Sequence, residues 1–155
     1  MGEEMKPEEL NAFLHNIELF KDLSDQECQK LANHTEVVNY NVGDFLFMEN
    51  NPRTKMFMII DGKVEIIKTT NIGKEKVLSI FENNDFLSEG AIMEEYPHST
   101  SARASRDSVI AVIKTDDIKA MFESEPQMMS KILARIARVI SRRMRVATTQ
   151  VADIG

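Results

Sequence analysis

The hydrophobic period of the chain changes twice. From Pro7, apolar residues fall at Leu10, Phe13, Leu14, Ile17 and Phe20, the spacing of one helical face. Pro7, Glu8 and Glu9 suit a first turn, where a missing N–H costs nothing and acids complement the helix dipole. Ser24-Asp25-Gln26-Glu27 reads as a capping box and predicts a second helix to about Asn33. Together they predict a helical arm over 7–33. The runs then shorten to strand length: 37–40, 45–48, 56–60, 64–67, 77–81 and 109–113. Polar clusters separate them, including Asn41-Val42-Gly43-Asp44, Asn50-Asn51-Pro52 and Asn83-Asn84-Asp85. Asp61-Gly62 is a tight-turn signal and Asn71-Ile72-Gly73 a hairpin signal. Roughly eight short strands over 36–114 predict a sandwich or barrel. Helical spacing returns at the end. Asp116-Asp117 is placed to cap a short helix through Phe122, and Pro126 opens a longer one. In the latter, Met129, Ile132, Leu133, Ile136, Val139, Ile140, Met144 and Ala147 form a stripe of period 3.5–3.6. The expectation is one α+β, mainly β domain over 1–155, closed by helices over 116–149.

Composition narrows the function classes. A chain of 155 residues, 43% apolar and 28% charged, is long enough for one real core and has a globular balance. No window approaches eighteen consecutive apolar residues, so no membrane span is expected. The acidic start lacks the apolar stretch of a secretory signal, and Lys6 stands where a myristoylation motif after Gly2 wants Ser or Thr. Cys28 is the only cysteine, which excludes an internal disulfide and fits a reducing cytoplasm. The net charge of −6 argues against general nucleic-acid affinity.

That charge is uneven: acids crowd residues 1–27, whereas 131–145 carry Lys131, Arg135, Arg138, Arg142, Arg143 and Arg145 without an acid. Two amphipathic helices with solvated charged faces, paired end to end, are the simplest account; a basic helix that meets a phosphate or an acidic partner is the alternative. His15, His34 and His98 are too dispersed for a metal site, and no H-x-H pair, Ser/His/Asp group or glycine-rich phosphate loop occurs. No catalysis and no cofactor are expected. The ten methionines read as core filler.

The informative stretch is 84–104. Gly90-Ala91-Ile92-Met93 suits one helical turn whose free N–H groups favour an anion. Glu89 at its mouth suits a sugar hydroxyl, and Ser99 and Thr100 suit phosphate oxygens. This segment resembles the phosphate-binding cassette of the cyclic-nucleotide-binding domain family, roughly F-G-E-x-A-L, a spacer, then P-R-[ST/A]-A-[TS]. Phe86, Glu89, Ala91, Ile92, Pro97, Ser99 and Ser101 stand at or near matching places. Leu19 to Ser24, Tyr40 to Asp44, Met58 to Val64 and the helix after Pro126 also resemble the family, so the likeness spans about 13–147.

The resemblance implies an eight-stranded double-stranded β-helix, a jelly-roll-like β-roll similar to the sensor domain of Crp/Fnr-type regulators. It implies a cyclic nucleotide ligand, cAMP or cGMP, or a similar small phosphate ligand. The N–H groups of Gly90 and Ala91 would hold the cyclic phosphate, Glu89 the ribose 2′-hydroxyl, and Ser99 would assist the phosphate.

Two positions depart from the pattern. Ser88 replaces the glycine before the glutamate, adding bulk at the turn. His98 replaces the phosphate-pairing arginine, exchanging a permanent forked cation for a side chain largely neutral at pH 7. Arg53 and Arg103 are the candidates to substitute from neighbouring strands. The candidate ligand residues are therefore Ser88, Glu89, Gly90, Ala91, His98, Ser99 and Thr100. Two functions fit: a sensor that repositions its C-terminal helix, and a relative kept for protein contact without nucleotide. The apolar stripe predicts a homodimer along 126–147. Only six residues follow Thr149, too few for a helix-turn-helix, so direct DNA binding by this chain is not expected.

Overall fold

The structure, a computed structural model, describes residues 5–93 and 96–154. Gly2, Glu3, Glu4, Glu94 and Glu95 lie outside the described residues. Helix α1 runs Pro7–His15 and ends earlier than the apolar spacing predicts. Asn16 closes it, Ile17 is extended, and Glu18–Phe20 forms a 3-10 turn. This break lets Ile17, Leu19 and Phe20 all be buried, which one continuous helical face cannot do for such closely spaced positions. Helix α2, Asp25–Ala32, has its capping box: the Glu27 N–H donates to Ser24 Oγ at 3.1 Å, and the Ser24 N–H donates to Glu27 Oε1 at 2.9 Å.

Eight strands follow: β1 Thr35–Tyr40, β2 Phe45–Phe47, β3 Lys55–Asp61, β4 Val64–Thr69, β5 Glu75–Phe81, β6 Phe86–Leu87, β7 Ser101–Ala104 and β8 Ser108–Lys114. They form two antiparallel four-stranded sheets, ordered β1-β8-β3-β6 and β2-β7-β4-β5. The β-roll expectation is met. β3 and β8 read as unbroken apolar runs because both of their faces are covered. Phe57, Ile59, Ile110 and Val112 pack between the sheets, while Met56, Met58, Ala111 and Ile113 pack under the helices.

The Asn71-Ile72-Gly73 turn joins the paired strands β4 and β5, and Gly73 takes φ +80° there. Asp61-Gly62 behaves differently. It carries the chain from one sheet to the other instead of closing a hairpin, since β3 pairs with β6 and β8. A Cβ on Gly62 would run into Ser108 of β8, so the crossing needs glycine. β5 is an edge strand, and its Val77, Leu78 and Ile80 are exposed.

Helix α3 is the single turn Gly90–Met93. Helix α4, Thr115–Ser124, begins before the sequence expectation. Asp116 and Asp117 lie in its first turn and complement the dipole, and the cap position falls on Lys114 without a side-chain bond. Helix α5 starts at Pro126 as expected and continues to Ile154. Its stripe has two fates. Met129, Ile132, Ile136 and Val139 are buried in the core shared with α1 and α2, whereas Ile140 and Met144 are exposed.

The opposed charges at the chain ends form an antiparallel ladder. Lys131 meets Glu27 at 2.7 Å, Arg135 meets Asp22 at 2.8 Å, Arg138 meets Asp22 at 3.7 Å, and Arg142 meets Glu18 at 2.6 Å. The hydrogen bond from Arg135 holds the Asp22 carboxyl below the ordinary carboxylate range. Burial would raise that of Glu27, but the Lys131 ammonium and the Ser24 N–H outweigh it.

Candidate functional site

β6 pairs Phe86 and Leu87 with Met58 and Phe57, and so aims the segment after it at the mouth of the roll. The chain leaves β6 through Ser88 at φ +61°. Among the described residues, positive φ otherwise falls only on Asn50, Asn84, Gly43 and Gly73. A serine in this left-handed region costs about 1–2 kcal/mol, so its surroundings must hold it there. Glu89 follows, and Gly90 opens α3.

The return segment is pinned by its backbone. The His98 N–H donates to the Asn51 carbonyl at 2.9 Å, and the Asn50 N–H donates to the His98 carbonyl at 2.8 Å. This pairing brings His98 beside the loop between β2 and β3. Its imidazole stacks on Phe47, with ring centroids 3.9 Å apart and planes inclined by 11°. Burial and then the nearby Arg53 charge push its pKa down to about 4, so the ring is neutral at physiological pH. His98 carries no charge for a phosphate.

Arg53, at the end of that loop, reaches the cassette. Its Nε donates to the Tyr96 carbonyl at 3.0 Å and its Nη1 to Ser88 Oγ at 3.3 Å. Arg103 does not reach it. Arg103 lies on β7 against Glu65 at 2.8 Å and Glu75 at 3.1 Å. A second cation comes from α5: Arg143 donates to Glu89 Oε1 at 3.1 Å, and its guanidinium lies 5.8 Å from the centre of the Phe86 ring.

These groups enclose a cavity of about 330 Å³. Ser88, Glu89, Gly90, His98, Ser99 and Thr100 all line it, so six of the seven candidate residues converge. Ala91 sits within α3, and its side chain lies outside what the structure describes. Ser99 also presents its carbonyl to Lys68 at 2.8 Å, which fixes the start of the run toward β7. The far wall is apolar: Phe47, Ile66, Phe81, Phe86 and Leu87. The charged lining is two guanidiniums against the Glu89 carboxylate, with His98 neutral. In a chain of net charge −6, this cavity has a positive excess and suits a ligand with one anionic and one flat apolar part.

Sequence reasoning passed over Arg143. Its signal was its phase: it lies four residues after Val139 and seven after Ile136, on the core-facing stripe where an arginine is out of place.

The comparisons with known proteins agree with this geometry. Residues 37–125 match the family model described as cyclic nucleotide-binding domain. The chain is 23% identical over 145 residues to a CRP-like cAMP-activated global transcriptional regulator of Mycobacterium tuberculosis, covering 94% of this chain and 63% of that protein. It thus spans less than two thirds of that relative's length. Among solved structures, a cyclic nucleotide-binding domain from Methylobacillus flagellatus superposes with TM-score 0.79 at 21% identity, covering 96% of this chain and 84% of that one. A mutant regulatory subunit of a cAMP-independent protein kinase A from Trypanosoma brucei, bound to cAMP, superposes with TM-score 0.73 at 20% identity, covering 86% and 46%. With more than half of its length matched by the family model and a cassette folded around a cavity, this chain belongs to the cyclic nucleotide-binding domain family.

Proposed function

We propose that this chain is a non-catalytic sensing module that binds a cyclic mononucleotide in the cavity and signals through α5. The observation that carries the reading is the contact between Glu89 and Arg143 at the cavity wall, because it joins the cassette to the long helix. Family resemblance gives Glu89 the ribose 2′-hydroxyl. A sugar there competes with Arg143 for the same carboxylate, so occupancy changes what α5 rests on. Gly90 and Ala91 receive the cyclic phosphate through their N–H groups, Ser99 and Thr100 add hydroxyl donors, and the apolar wall takes the base. A ligand shifts α5 only by the difference in its affinity for the two helix positions.

The homodimer seam expected along 126–147 cannot use Met129, Ile132, Ile136 and Val139, which this chain's own core buries, so the proposal narrows it to the exposed Ile140 and Met144, four residues apart. The proposal also includes a cytoplasmic location, supported by the lone, buried thiol of Cys28. Direct nucleic-acid binding is disfavoured because Lys131, Arg135, Arg138, Arg142 and Arg143 of α5 are already engaged by acids of this chain.

The same fold serves proteins described as cAMP-activated and as cAMP-independent, so the ligand has to be tested directly. Titration with cAMP and cGMP, followed by calorimetry and thermal shift, decides. A ligand at 100 times its Kd stabilises the fold by about 2.7 kcal/mol. No shift at millimolar cAMP or cGMP would leave the second reading, a roll kept for protein contact, which the neutral His98 favours. Sedimentation at micromolar concentration tests the seam, and a clean monomer overturns it.

A further inference from the structure

Among the described residues, every cation near the cavity except one has a carboxylate partner. Arg143 has Glu89, Arg103 has Glu65 and Glu75, and Lys68 has Glu49. Among the described residues no carboxylate lies within ion-pair distance of Arg53. Among the described residues, two of the five N–H donors of its guanidinium are occupied, by the Tyr96 carbonyl and Ser88 Oγ. The cassette comes close to it. A Cβ on Gly90 would stand 3.1 Å from Arg53 Nη1 and 3.2 Å from Cζ, so the backbone of the turn and the guanidinium lie side by side at this corner. An anion seated against the Gly90 turn lies within reach of Arg53.

We propose that Arg53, from the loop before β3 and outside the cassette, is the cation that holds the anionic end of the ligand, in place of an arginine at position 98. This rests on the sensing function proposed above. The two departures from the family pattern then become one coordinated exchange. Ser88 supplies the hydroxyl that anchors Nη1, and a glycine there could not. His98 packs flat on Phe47 beside Arg53, where a second guanidinium would repel the first. One guanidinium with no carboxylate partner among the described residues matches the single charge of a cyclic phosphodiester, and its fork suits two phosphate oxygens.

The test is calorimetric titration of cAMP, with cGMP in parallel, into wild type, R53Q, R53K, H98R and R53Q/H98R. Wild type is expected to bind. R53Q is expected to bind about ten- to a hundredfold more weakly, the loss of one charge-assisted contact. R53K keeps a charge without the fork and is expected to lose less. H98R is expected to regain affinity in the R53Q background and to lower the melting temperature in the wild-type background. R53Q binding as well as wild type, or more tightly as a removed plug would, overturns the role of Arg53 and leaves the sensing function standing. Wild type failing to bind either nucleotide at millimolar concentration overturns both. Should R53Q not fold, R53K decides: weakened binding upholds the proposal, and wild-type affinity overturns it.

Discussion

Arg143 and Glu89 lie 54 residues apart in sequence, yet their 3.1 Å contact is the one ion pair found between α5 and the cassette among the described residues. Both side chains are partly exposed, so the pair contributes at most about 1 kcal/mol to stability. Its role is positional. Beyond Val139 the helix has lost the core, with Ile140 and Met144 exposed, and two ion pairs hold the turn that follows: Arg142 to Glu18 of the arm and Arg143 to Glu89 of the cassette.

Arg143→Ala is therefore expected to leave the melting temperature almost unchanged while amide hydrogen exchange rises after residue 139. The region 129–139 should keep its protection, because its apolar face is buried. Unchanged exchange across the distal helix would refute the tie.

The ladder between the arm and α5 predicts a salt effect. Asp22 receives two arginines, Arg135 through hydrogen bonds at 2.8 and 2.9 Å and Arg138 at 3.7 Å. Asp22→Asn removes two rungs at once and should lower the melting temperature in dilute buffer. At 1 M salt the Debye length falls to about 3 Å, so most of the difference from wild type should vanish. A deficit that persists unchanged in salt would mean that packing around the arm, and not charge, was lost. The sign for acid follows from the depressed Asp22 carboxyl. Its contribution is present above the unfolded pKa and disappears as pH falls through the folded one.

Much of this fold was legible because its signals are local. The capping box at Ser24 and Glu27, the proline opening α5 and the turn asparagines and glycines each act within a few residues. β6 and β7 escaped, being two and four residues long, with no apolar run to mark them. The cassette was legible as a pattern, and its six lining residues do converge. Its electrostatics were not. Arg53 meets Ser88 across 35 residues and Arg143 meets Glu89 across 54, and no spacing rule encodes such pairs. The state of His98 is likewise a tertiary property, set by burial and by Arg53.

The sheet crossing at Gly62 gives a stability prediction. Its N–H donates to Asn83 Oδ1 at 2.8 Å, and the next N–H, of Lys63, donates to Ser108 Oγ at 3.2 Å. A methyl group on Gly62 meets Ser108 Oγ, Cβ and Cα together, so a rotamer change of the serine cannot relieve it. Gly62→Ala should cost about 1–3 kcal/mol, the usual range for an overpacked site, in urea denaturation with an unchanged m-value. Gly43→Ala is a useful contrast. Nothing lies within 4 Å of its added methyl, and only the φ of +92° resists, so its loss should come from backbone strain alone. Equal tolerance of Gly62→Ala and a neutral surface substitution would disprove the close approach.

His98 gives the pH prediction. Its folded pKa is about 4 against an ordinary value of 6.5, with burial first and the Arg53 charge second as causes. A base depressed on folding takes up its proton in the unfolded chain first. Between pH 6.5 and 4 the unfolded state thus binds more protons, and stability falls as pH falls, by up to about 1.4 kcal/mol per unit. Below pH 4 this loss levels off, since both states are then protonated. Carboxylates such as Asp22 and Glu49 add their own acid loss, so the comparison is with His98→Gln, which lacks the imidazole but keeps them. The difference in unfolding free energy between the two proteins should narrow steadily from pH 6.5 to 4. R53Q should shift the His98 midpoint upward, since it removes the second cause while leaving the first. An imidazole titrating near 6.5 by NMR in the wild-type fold would mean that the ring is neither buried on Phe47 nor near a cation, and the electrostatics of the cavity would have to be redrawn.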